Sequence, residues 1–377
     1  MASKIPTAKD KTLFTPGPLT TSLAVKQAML HDFGSRDFAF INTVKEIRQK
    51  LLAVGHVANM GYEAILLQGA GTYALEAVIS SVTPPTGHWL IIINGAYGRR
   101  IADVCDRYSI SNSRLNVPEN RKPSIEEVDA ALTGYPETTH VCLTHLETTT
   151  GILNDVHSIS KIVKKHGCLF FVDGMSSFGA IDIDLAAAQI DYFVSSANKC
   201  IEGVPGFSYV IAEREALLAT EGFARTVSLD LLAQWRGFEK NGQFRFTPPT
   251  HTLLAFNQAL DELEAEGGVS GRAKRYQINY KTLVNGMRAL GFREYLLEED
   301  QGYIITSFHY PDHANFDFEA FYKKINAHGL IIYPGKVSDA NCFRIGNIGR
   351  IYRSDVRQLL HIIEDVLTDM DINLDSH

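Results

Sequence analysis

The feature that most constrains this chain is a series of short, nearly continuous apolar segments between about residues 64 and 211, separated by stretches of helical period. The segments are 64–67, 89–93, 140–144, 168–172, 192–195 and 207–211. A strand with one wet face alternates polar and apolar residues, whereas a strand covered on both faces does not. These segments are of the second kind and predict a mainly parallel sheet with helices on both sides. Helices are predicted over 72–80, 98–108, 125–132 and 156–166. Strand, helix and strand in repetition predict an α/β layered domain. Ligands of such sheets gather beyond the carboxyl ends of the strands, so the residues just after each apolar run carry the chemistry.

Further along, a helical pattern over 253–266 is broken by Gly267 and Gly268, and a second helix is predicted over 272–290. Strands at 304–309 and 330–333 then alternate with helices at 318–327 and 354–370, which predicts a smaller α+β domain. The expected division is a large α/β domain over 20–264 and a small domain made of 265–377 together with 1–19. The segment 13–19 holds Pro16, Gly17 and Pro18, whose prolines lack donors and fix φ, so it is expected to be a shaped loop. Composition does not tell what that loop is for.

Several function classes are excluded at this level. Lys and Arg number 36 against 43 Asp and Glu, a net charge of −7, which leaves no basic excess for a nucleic acid backbone. No apolar stretch approaches the roughly 20 residues of a membrane span, and residues 1–12 lack the apolar core of a secretory signal. The 5 cysteines, at 105, 142, 168, 200 and 342, have no CxxC spacing. They are expected to be free thiols in a reducing, cytoplasmic setting, with neither disulfide nor metal site.

Three places stand out after the apolar runs. The first is Gln68-Gly69-Ala70-Gly71-Thr72-Tyr73-Ala74, where glycines let backbone approach a ligand and a helix N-terminus offers N–H groups to an anion. It satisfies a G-x-G-x-x-A dinucleotide fingerprint, but the next strand ends in Asn94-Gly95-Ala96 without the acid that would hold a ribose. A phosphate cup survives that test, beside a plain turn with glycines for packing; NAD does not. The second is Asp173, a carboxylate at the end of an apolar run, costly there unless a cation pairs with it, the alternative being a turn or helix-cap aspartate. The third is Lys199, in Ser195-Ser196-Ala197-Asn198-Lys199-Cys200, followed by a Gly/Pro loop and another buried strand. A lysine between two core strands is poorly placed for solvation, and a desolvated amine forms imines with carbonyl compounds. Together, an anion cup, a strand-end acid and a strand-end lysine are the three anchors that pyridoxal 5'-phosphate needs.

On these residues the chain resembles the class V aminotransferases of the fold-type I, pyridoxal-phosphate-dependent transferases. The matching stretches run in order from residue 13 to 349. They include Leu13-Phe14-Thr15-Pro16-Gly17-Pro18, Asn94-Gly95-Ala96-Tyr97-Gly98, Glu147-Thr148-Thr149-Thr150-Gly151 and Met175-Ser176-Ser177-Phe178-Gly179. Others are Ala197-Asn198-Lys199 with Gly203-Val204-Pro205-Gly206-Phe207, Phe246 to Thr252, Tyr333-Pro334-Gly335-Lys336, and Phe343-Arg344-Ile345-Gly346-Asn347-Ile348-Gly349. The resemblance implies a mainly parallel seven-stranded sheet in the large domain and a homodimer whose active sites are shared between subunits.

It also implies roles residue by residue. Lys199 would hold the cofactor as an imine and move the proton, and Asp173 would pair with the ring nitrogen. Ala70, Gly71 and Thr72 would bind the phosphate, with Asn198 helping. Tyr97 would stack on the ring, Thr148 would lie near its hydroxyl side, and Thr247 would reach the phosphate of the neighbouring subunit, with Thr250 nearby. Arg344 would grip the substrate carboxylate. Within the group the likeness is strongest to the branch that moves an amino group from 2-aminoethylphosphonate to pyruvate by ping-pong kinetics. The alternative is an alanine–glyoxylate or serine–pyruvate type; a cysteine desulfurase and a cofactor-free binding protein fit less well. A phosphonate sits one carbon further from the reacting carbon than a carboxylate does, so Arg344 would serve both anions only if one substrate tilts or a second cation assists. Arg36, where some family members have tryptophan, is the candidate for it.

Overall fold

A computed structural model describes residues 10–335 and 337–374, so Lys336 of the Tyr-Pro-Gly-Lys stretch lies outside the described residues. Its centre is a seven-stranded sheet. From edge to edge the strands are Tyr62–Gln68, Phe207–Glu213, Tyr192–Ser196, Leu169–Asp173, His140–Thr144, His88–Ile93 and Ser111–Asn116. Phe207–Glu213 is antiparallel to both its neighbours and the other pairings are parallel. Six of the seven coincide with the apolar runs of the sequence, each end within two residues of the predicted one. The seventh, Ser111–Asn116, was not expected. It is an edge strand of alternating exposed and half-buried residues, almost all polar, and therefore carries no apolar signal.

Helices cover the sheet on the predicted segments, at Gly71–Val82, Ala96–Arg107, Ile125–Gly134 and Val156–Lys165. Four further helices, Leu23–Ala28, Phe38–Val54, Arg214–Leu218 and Leu231–Asn241, lie where the sequence pattern predicts none. Phe38–Val54 starts at an Asp37 cap that accepts the Ala39 N–H at 2.7 Å, and it buries Phe40, Val44, Ile47 and Leu51. That spacing of three and four residues is an amphipathic stripe, and it joins the large core between sheet and helices.

A second core gathers Phe14, Leu283, Met287, Phe308, Phe343, Val356 and Ile363, drawn from the last third of the chain and from the N-terminal segment. Here the expected strand 330–333 is two. Leu330–Ile331 pairs in parallel with Thr12–Leu13, and Tyr333–Pro334 pairs antiparallel with Cys342–Gly346. Leu13, assigned to the loop 13–19, is thus a strand residue; 14–19 are irregular. The N–H of Gly346 donates to the Phe14 carbonyl at 3.0 Å and that of Arg350 to the Thr20 carbonyl at 2.7 Å, which seats the N-terminal segment on the C-terminal third. Among the described residues no helix is long and apolar enough to cross a membrane, and no cluster of His, Cys, Asp or Glu is placed to hold a metal ion.

Candidate active site

The carboxyl ends of the parallel strands converge on Asp173, the last residue of its strand, paired with Thr144 on one side and Val194 on the other. It is 1% exposed. Its Oδ1 accepts the Met175 N–H at 2.9 Å, while Oδ2 is buried with no hydrogen-bond partner among the described residues. Burial pushes the carboxyl up to about 6, with the nearby Glu147 adding to the rise, against the Met175 N–H and the charges of Lys199 and Arg100. His145, next to this pair of strands, is buried, and burial pushes its imidazole down to about 4.

Lys199 follows the strand Tyr192–Ser196 in a tight loop closed by Glu202 N–H to Lys199 carbonyl (2.7 Å) and Gly203 N–H to Ala197 carbonyl (2.9 Å). Its Nζ donates to the Pro16 carbonyl at 2.7 Å. The loop 14–19, opaque from composition, is therefore a strap over this lysine. Gly17 makes the closest approach: a Cβ there would stand 2.9 Å from Lys199 Cδ and 3.0 Å from the Asn198 carbonyl, and its φ of +115° also favours glycine. Burial pushes the amine down to about 8; the positive charges of Arg344 and Arg100 act the same way, and Cys200 and Asp173 oppose. Below the loop, Glu202 accepts from Arg275 at 2.7 Å and from the Tyr276 hydroxyl at 2.5 Å, and the fully buried Arg272 donates to the Cys200 carbonyl at 2.5 Å. This ionic cluster fixes the lysine loop against the helix Gly268–Ala289.

The cup is the N-terminus of the helix Gly71–Val82. Its capping residue, Ala70, has no side-chain oxygen to satisfy the first N–H groups. Gly71 lets the Met175 side chain pack close, since a Cβ would lie 2.3 Å from Met175 Sδ and displace it. Thr72 Oγ1 accepts from Arg100 Nη1 at 3.3 Å. Arg100 in turn lies over the Tyr97 ring, 4.8 Å from its centroid.

Tyr97 is positioned by a residue to which the sequence reading gave no role. Glu147, fully buried, accepts the N–H groups of Tyr97 (3.3 Å) and Thr149 (2.9 Å) and the Thr149 hydroxyl (2.5 Å). Burial raises its carboxyl above the usual range against these donors. Beside it Thr148 shares a 2.7 Å hydrogen bond with Ser176, and its carbonyl accepts from Arg344 Nη1 at 2.9 Å. Arg344 is 2% exposed. Among the described residues its hydrogen-bond partners are neutral, the Thr148 carbonyl, the Pro334 carbonyl at 3.0 Å from Nε and the Tyr97 hydroxyl, while Glu147 acts on it through charge. Asn198 is half-buried beside the lysine.

Two expected site residues are not in this group. Arg36 and Thr247 are exposed and line a separate surface cavity of about 390 Å³, with Arg245 and Phe246. Within one chain, Arg36 does not join Lys199. Thr250 begins the helix Thr250–Ala265 close by. Of the residues the sequence reading passed over, Arg100 had a usable signal, since it lies three positions after Tyr97 on one helix face. Pro16 and Glu147 had only their place in quoted motifs.

The family model Aminotransferase class-V matches residues 20–339. A 2-aminoethylphosphonate–pyruvate transaminase of Salmonella typhimurium is 47% identical over 96% of this chain and 99% of its own. Among solved structures, an alanine–glyoxylate aminotransferase from Nostoc sp. superposes with a TM-score of 0.87 at 27% identity, covering 96% of each chain. A pyridoxamine–pyruvate aminotransferase from Mesorhizobium loti does so with a TM-score of 0.88 at 22% identity, over 98% of this chain and 95% of that one.

Proposed function

The chain belongs to the class V aminotransferase family, and we propose that it moves the amino group of 2-aminoethylphosphonate to pyruvate, giving phosphonoacetaldehyde and L-alanine. The observation that carries this reading is a buried carboxylate with an unpartnered oxygen, Asp173 Oδ2, coupled to an amine, Lys199, whose proton is loosened by burial. The near full-length likeness to a transaminase of this substrate pair supports it over the alanine–glyoxylate alternative.

These residues fit pyridoxal 5'-phosphate. The orphaned Oδ2 calls for an N–H donor in a buried place, which a protonated ring nitrogen provides. The uncapped helix start at Ala70, Gly71 and Thr72 suits a phosphate, with Asn198 at hand, and the residue 199 amine stands above the strand ends. Tyr97 and Thr148 flank the same space. When bound, the cofactor supplies an electron sink for the carbon–hydrogen bond that is broken.

The chain's own residues do the rest. Asp173 Oδ2 holds the ring-nitrogen proton in place. Lys199 Nζ takes the proton from the substrate carbon that bears nitrogen and returns it; an amine near a pKa of 8 does both at neutral pH better than an ordinary lysine. Arg344, buried among neutral partners, grips the carboxylate of pyruvate and alanine through two parallel hydrogen bonds. The strap at Pro16 and Gly17 keeps water from the amine on one side.

The reading includes a homodimer with shared sites. Its support is the surface around Arg36 and Thr247, where Phe38 (85% exposed), Leu30, Val227 and Phe246 are exposed large apolar side chains. Thr247 then serves the partner's phosphate, and Arg36 serves the partner's phosphonate as the second cation. The division into a large domain (20–264) and a small one (265–377 with 1–19) rests on the two separate cores. A cytoplasmic setting rests on 5 free, buried cysteines.

The test is the visible absorption of the purified protein. 2-Aminoethylphosphonate without pyruvate should bleach it, and serine should not; bleaching by serine alone overturns the substrate assignment. In single-turnover runs Arg36→Ala should slow the aminophosphonate half-reaction more than the alanine one, and equal loss in both removes Arg36 from this role.

A further inference from the structure

We propose that Arg100 is a binding residue of the anion cup, supplying the fixed positive charge that balances the cofactor phosphate; this rests on the cofactor reading above. Two arginines are adjacent near the start of the helix Ala96–Arg107, and they behave differently. Arg99 is exposed and ion-paired with Glu119. Arg100 is half-buried, and among the described residues no carboxylate stands within 4 Å of its guanidinium. Its partners are the face of Tyr97, 4.8 Å away, and the hydroxyl of Thr72, 3.3 Å from Nη1. Thr72 is the second residue of the helix that forms the cup.

The charges require such a group. A phosphate monoester carries about −1.5 to −2 near neutral pH. A helix N-terminus offers the equivalent of only about +0.5. Lys199 cannot make up the difference, because its amine is committed to the carbonyl chemistry. Arg344 is held by the Thr148 and Pro334 carbonyls at the substrate end. Arg100 alone among these cations touches a cup residue. Its planar fork suits phosphate oxygens, and the Tyr97 ring beneath it sets the plane of that fork in advance.

The proposal separates phosphate recognition from ring recognition, so the probes are pyridoxal 5'-phosphate and pyridoxal. Full-length protein freed of cofactor is titrated with each, and affinity is read from quenching of its intrinsic fluorescence. Arg100→Ala should weaken pyridoxal 5'-phosphate by about ten- to a hundredfold, the range for a lost charge-assisted hydrogen bond, and leave pyridoxal unchanged. Arg100→Lys, which restores charge without the fork, should recover part of the loss. Arg100→Gln keeps most of the aliphatic stem and a polar end without the charge, for the case in which alanine disturbs folding, and should behave as alanine does. Equal weakening of both compounds would mean that Arg100 acts through Tyr97 or the fold, and no weakening of either would remove it from the cup; both overturn the proposal. If the unaltered protein binds neither compound, the cofactor reading itself fails.

Discussion

Replacing Gly95 with alanine puts the packing around Glu147 to a severe test. The φ of Gly95 is 169°, ordinary extended backbone, so the demand for glycine is one of space alone. An added Cβ would lie 2.3 Å from Glu147 Cδ, 2.4 Å from Cγ and 2.7 Å from Oε1. Unstrained carbon contacts are about 3.5–4.0 Å, so something must move by more than about 1 Å. If the carboxyl moves, it leaves the N–H groups of Tyr97 and Thr149 and becomes a buried, poorly satisfied acid. If the helix Ala96–Arg107 moves, Tyr97 moves with it. Overpacking costs about 1–3 kcal/mol. Hydrogen bonds to a charged group add about 1.5–3 kcal/mol. A loss of about 2.5–6 kcal/mol in equilibrium urea unfolding is the expected sum. The same substitution in a Glu147→Ala background should cost almost nothing, because the atoms it strikes are gone. Unchanged stability in Gly95→Ala, or an equal penalty in both backgrounds, would refute the account.

Two further outcomes concern charge. Lys199 in cofactor-free protein should react with an amine-directed acylating reagent along a pH profile with a midpoint near 8 rather than 10.5, and Pro16→Gly or strap deletions should change its rate more than its midpoint. Asp173, whose folded pKa of about 6 lies above the unfolded 3.8, weakens the cofactor-free fold when ionised. Its contribution to stability is therefore full below pH 3.8 and lost as pH rises through 6. Asp173→Asn should raise the melting temperature of cofactor-free protein at pH 8 but not at pH 4, and a gain of equal size at both values would contradict the burial argument.

How far the sequence could be read depended on where each signal resides. Strands buried on both faces announce themselves as unbroken apolar runs, and so do the residues at their ends: Asp173 and Lys199 were legible because a charge after such a run is conspicuous. Ser111–Asn116 was not, because an edge strand must be polar and loses the pattern that identifies it. The strap was legible as a loop but not as a lid, since Pro16 and Lys199 meet across 183 positions and no local rule links them. Glu147 was hidden in a motif quoted for its resemblance; its meaning lies in the N–H groups of Tyr97, Gly98 and Thr149 and the Thr149 hydroxyl, which only folding assembles around it. Arg36 was noticed for its residue type, yet type alone gave no clue that it would stand beside Thr247 on an outer face.

The pairing of Thr12–Leu13, which leads into the strap, with Leu330–Ile331 has a consequence for the order in which the protein is made. Translation delivers the amino end first and that docking strand much later, so residue 199, once made, waits about 130 further residues for its cover. During that interval the Pro16 carbonyl has no strand to hold it over the amine, and the strap takes its place only with the carboxyl-terminal third. A chain cut short between residues 200 and 330 would lack the strand that seats Thr12–Leu13, and with it the means of holding the Pro16 carbonyl over residue 199.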